Sequence, residues 1–517
     1  MIINKHLNDL IIEAVNFLKS GKLDKAEINY KKILKLDPKN IHALNNLGNL
    51  LFLKDKYNES IKLFDKVLKI SPSSIDALMN KAICLTKIKK PIQALNYYQK
   101  IININPNFVK ALYNQGNCLQ SINQYKEAIS SYQKAIKIDP MAYMIIYNYG
   151  ISLQKLGLYE KAIKKFKRVI EIKKDFSFAY NNLGNCLKIL GNFQEAMTCY
   201  KKSIKIRPDD VDANYNLGQI QLLLGNYDDG WANYEWRKKL NKYTYPKINN
   251  LKLNNVKNLK GKSIYISKEQ GLGDYIQFCR YLPLIEKLEA KIILDTPKAL
   301  LPMINSMNFK YIHKESLKNN EFDYHFSIGS LPLAFGTSLN TIPNKIPYFF
   351  TPKKNKDLMK LKINENKINI GLKWRGNRNH WDDENRSINL SILERLFDLP
   401  YEFHSLEIEY LKDDEIQLGK IKNLHCHKNE ILGFENTAGL IESMDLIISV
   451  DTSITHLCGA INKPVWLLLS FLPDFRWLLD RNDSPWYPSV KLYRQINRGN
   501  WDEIINRVKR DLDKLEK

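Results

Sequence analysis

Residues 184–208, GNCLKILGNFQEAMTCYKKSIKIRP, carry the spacing on which the first half of the chain is built. Gly184, Ala196, Tyr200 and Pro208 each return at a period of 34. Pro38, Pro72, Pro106 and Pro140 share the grid of Pro208, with Lys174 in the vacant place, and each follows an apolar helical stretch that it terminates. Ten residues past these positions stand Gly48, Ala82, Gly116, Gly150, Gly184 and Gly218, small residues where two helices approach closely. Ala26, Ser60, Ala94, Ala128, Ala162, Ala196 and Gly230 mark a second helix in the same way. Four residues further come Tyr30, Phe64, Tyr98, Tyr132, Phe166, Tyr200 and Tyr234, one ring per repeat, which we expect to form the interhelical core.

Small, small, aromatic and proline at this period resemble the tetratricopeptide repeat, over residues 1–240 as about seven helix pairs. Such pairs cannot bury their own apolar faces, so stacked neighbours do it for them and the array winds into an α-solenoid, a superhelix whose groove usually holds polypeptide. Asn46, Asn80, Asn114, Asn148, Asn182 and Asn216 form a further column, expected on the groove wall. A carboxamide both donates and accepts, so this ladder suits the backbone of an extended peptide. It resembles the asparagine ladder of O-GlcNAc transferase, which implies an acceptor protein or peptide as partner.

The chain has 517 residues, 44% of them apolar, which excludes a disordered protein and calls for at least two structural units. Its net charge is +24, and residues 1–240 hold 38 Lys and Arg against 21 Asp and Glu. That field suits anionic partners, but no basic–aromatic recognition motif accompanies it, so no specific nucleic acid is expected. Seven cysteines without paired-loop spacing point to a reducing compartment. No stretch approaches the ~20 apolar residues that span a bilayer. No signal-peptide pattern opens the chain, and the expected location is cytoplasmic.

Residues 241–260 read as a polar linker, with Tyr245-Pro246 and Asn249-Asn250. Beyond it strands and helices alternate, the pattern of parallel sheets. Ser263–Ser267 and Lys291–Asp295 read as strands, with helices over Asp274–Leu288 and Lys298–Met307. A second set has strands near Ile368–Trp374, Glu402–Leu406, Leu446–Val450 and Val465–Leu469, with helices near Ile392–Phe397, Asn436–Ser443, Thr452–Ala460 and Trp501–Leu515. Two Rossmann-like lobes are expected, 261–350 on the acceptor side and 351–517 on the nucleotide-sugar side.

Ligands of such sheets bind beyond the carboxyl ends of strands, where helix N-termini offer free N–H groups to anions. Two loops qualify. The first is Glu269-Gln270-Gly271-Leu272-Gly273-Asp274, a tight glycine turn in which Ile276 takes the place of the third glycine of a dinucleotide fingerprint, which disfavours a nicotinamide cofactor. The second is Asp451-Thr452-Ser453-Ile454-Thr455-His456, whose hydroxyls and helix start suit a diphosphate.

Together these motifs resemble the signatures of the heptosyltransferase-like glycosyltransferases of GT-B fold, over about residues 261–517. The tail Pro473-Asp474-Phe475-Arg476-Trp477 through Asp483-Ser484-Pro485-Trp486-Tyr487-Pro488 is similar to that of bacterial repeat-containing glycosyltransferases. The resemblance implies an inverting enzyme that uses a nucleotide-diphosphate sugar as donor substrate, with no tightly bound cofactor and no essential metal. It implies Asp274 as catalytic base, with Asp451, Thr452, Ser453 and His456 at the donor phosphates. It further places Arg386 near the leaving diphosphate, Glu407 at a ribose hydroxyl and Lys373 in the same pocket. The chain departs from the family at Gln277, where a histidine is common, and at Ser453, where glycine is. Arg476, Trp477, Trp486 and Tyr487 read as packing. The expectation is a glycosyltransferase whose repeats recruit its acceptor; its rival is a non-catalytic scaffold with a degenerate nucleotide-sugar domain.

Overall fold

A computed structural model of the chain describes residues 2–240, 259–269, 271–314, 321–360, 363–364, 366–380 and 382–515. Most of the expected linker, 241–258, lies outside the described residues, as does Gln270 of the first motif. The chain divides into two compact units, Met1–Pro208 and Asp209–Lys517.

The first unit is a helical solenoid of six pairs, from Ile2–Lys19 with Leu23–Leu36 to Ser177–Ile189 with Phe193–Ile206. Two of its helices are capped by side chains: Asn40 and Ser74 accept from the N–H groups of Ala43 and Ala77, satisfying donors that a helix start leaves unpaired. Within each pair the turn closes on a left-handed residue, again on the 34-residue grid: Gly21, Asp55, Lys89, Asn123, Gly157 and Gly191. That column is not evident from composition, because three of the six carry side chains. The aromatic column is buried as expected, with Phe64, Tyr132, Phe166 and Tyr200 fully inaccessible. The small column is explained by these rings: a Cβ on Gly48, Gly116, Gly150 or Gly184 would stand 2.4–2.7 Å from the ring of Phe64, Tyr132, Phe166 or Tyr200. Cys84, Cys118 and Cys186 are buried there, and all seven cysteines are free.

The second unit holds two parallel sheets. Strands β1 (Ser263–Ser267), β2 (Lys291–Leu294), β3 (Ile312–His313) and β4 (Tyr324–Ser327) form the first, in the order β3-β2-β1-β4. Strands β5 (Asn369–Lys373), β6 (Glu402–Ser405), β7 (Leu424–Cys426), β8 (Leu446–Val450), β9 (Val465–Leu469) and β10 (Val490–Arg494) form the second, in the order β10-β9-β8-β5-β6-β7. The second order reverses direction between β5 and β8, the doubly wound pattern that opens a crevice at the carboxyl ends of those two strands. Strand β8 is buried along its whole length, Ser449 included, whose hydroxyl donates to the Val450 carbonyl at 2.7 Å. Helix Trp501–Leu512 covers this sheet with Trp501, Ile504, Ile505, Val508 and Leu512, an apolar stripe at helical spacing.

Four strands, β3, β4, β7 and β10, go beyond the sequence reading. The helix expected over Asp274–Leu288 is in fact broken into Leu272–Phe278, a 3-10 turn at Cys279–Tyr281 and Leu282–Glu286. Pro283 accounts for the break, since it has no N–H to continue the ladder. The one expected near Ile392–Phe397 is a single α-turn, Leu390–Leu393, followed by a 3-10 turn.

The seventh repeat, Val211–Leu223 with Tyr227–Tyr234, is repeat-like in sequence but forms part of the second unit. Trp231 is buried and its indole donates to the Thr337 carbonyl (3.0 Å), while the Trp486 indole donates to the Tyr227 hydroxyl (3.1 Å). No helix among the described residues is long and apolar enough to cross a membrane.

Candidate functional site

The loop after β1 turns at Gly271, whose φ of +93° suits a residue without a Cβ, and leads into helix Leu272–Phe278 with Asp274 in its first turn. The loop after β8 leads into helix Ser453–Ala460, capped by Thr452, whose hydroxyl accepts from the Ile454 N–H. These two helices pack against each other. The contact is closest at Gly273, where a Cβ would stand 2.7 Å from His456 Cδ2 and 3.6 Å from Ser453 Cα. The two expected motifs, about 180 residues apart in sequence, therefore meet at the carboxyl ends of β1 and β8.

Asp274 is held by Arg476, whose Nη2 donates to Oδ1 at 2.5 Å. Solvent reaches 37% of the Asp274 side chain, yet protein surrounds it closely enough for burial to dominate. Burial, only partly offset by the Arg476 charge, pushes its pKa up to about 6. A carboxylate so placed is mostly ionised at neutral pH and more basic than an ordinary one. Asp451 is likewise raised to about 6 by burial and by its neighbour Asp474, against the indole N–H of Trp477, which donates to Oδ2 at 2.9 Å.

His456 is 4% exposed. Its Nδ1 meets the Tyr487 hydroxyl at 3.1 Å and its ring stacks on Trp477 at 5.6 Å. Burial first, then Arg476 and Arg280, depress its pKa well below the usual value, so the imidazole is neutral. Arg386 lies beside the second loop, its Nη1 donating to the Asp451 carbonyl at 3.1 Å. Lys373 and Glu407 pair with each other at the ends of β5 and β6. Glu407 is only 2% exposed, and its Oε1 also accepts from the Trp374 and Arg375 N–H groups at 2.9 and 2.8 Å. Both of its oxygens are thus engaged within the protein.

The asparagine column is half-buried. Asn80 donates to Asn49 Oδ1 (2.7 Å), Asn148 to the Tyr113 hydroxyl and Asn117 Oδ1 (3.2 and 2.9 Å), Asn182 to the Tyr147 hydroxyl (2.7 Å), and Asn114 faces the Met79 sulfur at 3.7 Å. Each bond runs back to the preceding repeat, so these amides brace neighbouring pairs. Asn46 lies against the Tyr30 hydroxyl, and Asn216 stands in the second unit.

The residues that hold Asp274 are not disclosed by motif or spacing. Arg476, a packing residue on sequence grounds, touches it directly. Its Nε also bonds Gln277 Oε1, and Gln277 Nε2 is a buried donor with no partner among the described residues. Arg237, 3% exposed, grips Glu269 through Nε and Nη2 at 2.9 and 2.7 Å and so ties the seventh repeat to the first motif. The available signal was the density of buried-type aromatics around Arg476 and Arg237; spacing carries none, because the partners are far apart in the chain. Among the described residues no cluster of His, Cys, Asp and Glu is arranged to hold a metal ion.

Family models for the tetratricopeptide repeat match residues 109–141, 145–176 and 184–225, and the model for subunit 3 of the anaphase-promoting complex (cyclosome) matches residues 19–101. The N-terminal repeats are tetratricopeptide repeats, which generally bind peptide partners. Protein FlbA of Caulobacter vibrioides is 22% identical over 282 residues, covering 48% of this chain and 46% of that protein. The chain thus spans about half the length of the curated relative it matches. Among solved structures, a tetratricopeptide repeat protein from Parabacteroides merdae is 20% identical, over 47% of this chain and 95% of that one, with a TM-score of 0.39. The MamA protein is 24% identical, over 33% of this chain and 92% of that one, with a TM-score of 0.31. YrrB, described as a repeat protein with an unusual peptide-binding site, is 21% identical, over 36% of this chain and 95% of that one, with a TM-score of 0.33.

Proposed function

We propose that the chain is an inverting glycosyltransferase of GT-B type, moving a sugar from a nucleotide-diphosphate donor to a polypeptide acceptor engaged by the repeats. Asp274 takes the proton of the acceptor hydroxyl as its oxygen attacks the anomeric carbon. The bond from that carbon to the diphosphate breaks, and the electron pair leaves with the phosphate. The N–H groups at the start of helix Ser453–Ala460, together with Arg386, stabilise that developing charge. The observation that carries this reading is the meeting of Gly273 with Ser453 and His456, which sets a carboxylate of raised basicity beside a helix N-terminus.

The expected outcome is turnover of a nucleotide sugar by the purified chain and its loss, by about a hundredfold or more, in Asp274→Ala with the fold intact. Retained turnover in that variant refutes the assignment. A second reading, a scaffold acting through its repeats, is favoured by the engagement of Glu407 and of the Asp274 Oδ1 by protein groups. A thermal-shift screen with nucleoside diphosphates separates the two: a donor site is stabilised by its ligand, and a scaffold that has lost the site shows no shift with any of them.

A further inference from the structure

We propose that Arg476 is the positioning residue of the site: it holds Asp274 Oδ1 and thereby presents Oδ2 to the acceptor hydroxyl. This rests on the glycosyltransferase reading above. Arg476 is 4% exposed, and each of the three guanidinium nitrogens donates to a different side chain. Nε bonds Gln277 Oε1, Nη1 bonds Asp474 Oδ1 at 2.6 Å, and Nη2 bonds Asp274 Oδ1 at 2.5 Å. Two of these acceptors, Asp274 and Gln277, lie one turn apart on the same helix, so a planar fork spans them where a lysine could reach one at a time. The Phe475 and Phe278 rings flank the group, with centroids 4.4 and 5.6 Å from Cζ. The remaining Asp274 oxygen, Oδ2, lies beside Gly271, where a Cβ would stand 3.1 Å from it.

The turn that carries Arg476 is capped at its start and strained at its end. Asp474 Oδ1 accepts from the Arg476 N–H at 3.1 Å as well as from its head group. Two residues on, Leu478 has φ +51° and ψ −162°, a conformation rarely adopted outside glycine. Arg494 secures that turn, donating to the carbonyl of Trp477 and, at 2.9 Å, to that of Leu478. Strain of this kind persists where the surrounding structure demands one aim of one side chain. A guanidinium that served only to fill space would not need its turn pinned from both sides.

The charged groups facing Asp274 are Arg476 and Arg237, which favour its ionised form, and Asp474 and Glu269, which oppose it. Removing the first or the third of these therefore shifts its titration in opposite directions. The test is the pH dependence of kcat and KM for nucleotide-sugar turnover by the full chain, with circular dichroism as the check on folding. In Arg476→Gln the acid limb of kcat moves up by about one pH unit, because an adjacent cation is gone. In Arg476→Lys the charge remains, the limb stays near its original position, and kcat falls about ten- to a hundredfold with little change in KM, because the fork is lost. In Asp474→Asn, a partly exposed position where the amide oxygen still accepts from Arg476, the limb moves down. Arg476→Gln with the original kcat and limb overturns the proposal, and so does loss of rate in all three variants with no movement of the limb. If Arg476→Gln does not fold, Arg476→Lys decides, an unchanged kcat overturning the proposal. An original chain that turns over no nucleotide sugar overturns the enzymatic reading, and this proposal with it; unmoved limbs in an active enzyme overturn this proposal alone.

Discussion

The solenoid of residues 2–208 and the sheets of the second unit bury aromatic side chains equally well, but over very different distances along the chain. In the first unit a ring meets the small residue 16 positions before it, Tyr200 against Gly184 or Phe64 against Gly48, and asparagines reach back 31 or 35 positions to the preceding repeat. In the second, Arg476 meets Asp274 at a separation of 202, Arg280 meets the Trp486 carbonyl at 206, and Trp486 meets Tyr227 at 259. Short, repeated contacts make a structure whose parts fail one at a time, whereas long ones make a structure whose parts depend on each other.

The sharpest way to break that contrast is Trp231→Ala. The indole bonds Thr337 and packs edge-on against Phe475, Phe278 and Trp486, so its removal costs the second unit about 3–5 kcal/mol. Hydrogen exchange should rise across both sheets while the repeats before Pro208 keep their protection. A change confined to the seventh repeat would mean that the long contacts are not cooperative. Gly184→Ala is the counterpart in the solenoid: its methyl meets the Tyr200 ring at 2.7 Å and costs about 1–3 kcal/mol, with exchange rising only in that repeat and its neighbours.

A smaller effect tests the electrostatics of the second unit. The Asp451 pKa is raised on folding to about 6, so its ionisation opposes the native state. Its contribution to stability is complete below the unfolded value of about 4 and is lost as pH rises through 6. Asp451→Asn keeps an acceptor for the Trp477 indole and should raise the melting temperature of the second unit by about 2 °C at pH 7.5, with the gain vanishing near pH 4. A gain independent of pH would point to packing instead.

Much of the first unit was legible because the physics repeats. A position that must be small in one pair must be small in all of them, so Gly48, Gly116, Gly150 and Gly184 announce themselves by recurrence. In the second unit the loops were legible one at a time: Gly271 to Asp274 and Asp451 to His456 each follow an apolar strand and open a helix. The strands left unread, β3 and β7, are short, and β4 and β10 alternate polar and apolar side chains too briefly to stand out. Glu407 shows the limit of reading a site by position. Its place after β6 is open on sequence grounds, but Lys373 and two backbone N–H groups occupy it.

What the residues determined unaided is therefore local or periodic: the helix pairs, their ring-on-glycine contacts, and two strand-to-helix turns. Tertiary structure alone decided that those two turns face each other and that Arg476 locks Asp274. It also decided that the seventh repeat-like pair belongs to the second unit, with Trp231 bonded to Thr337 and Tyr227 to Trp486. The reason is that a period records only constraints shared by neighbours, while a contact across 200 residues is made once and leaves no trace in the spacing of either partner.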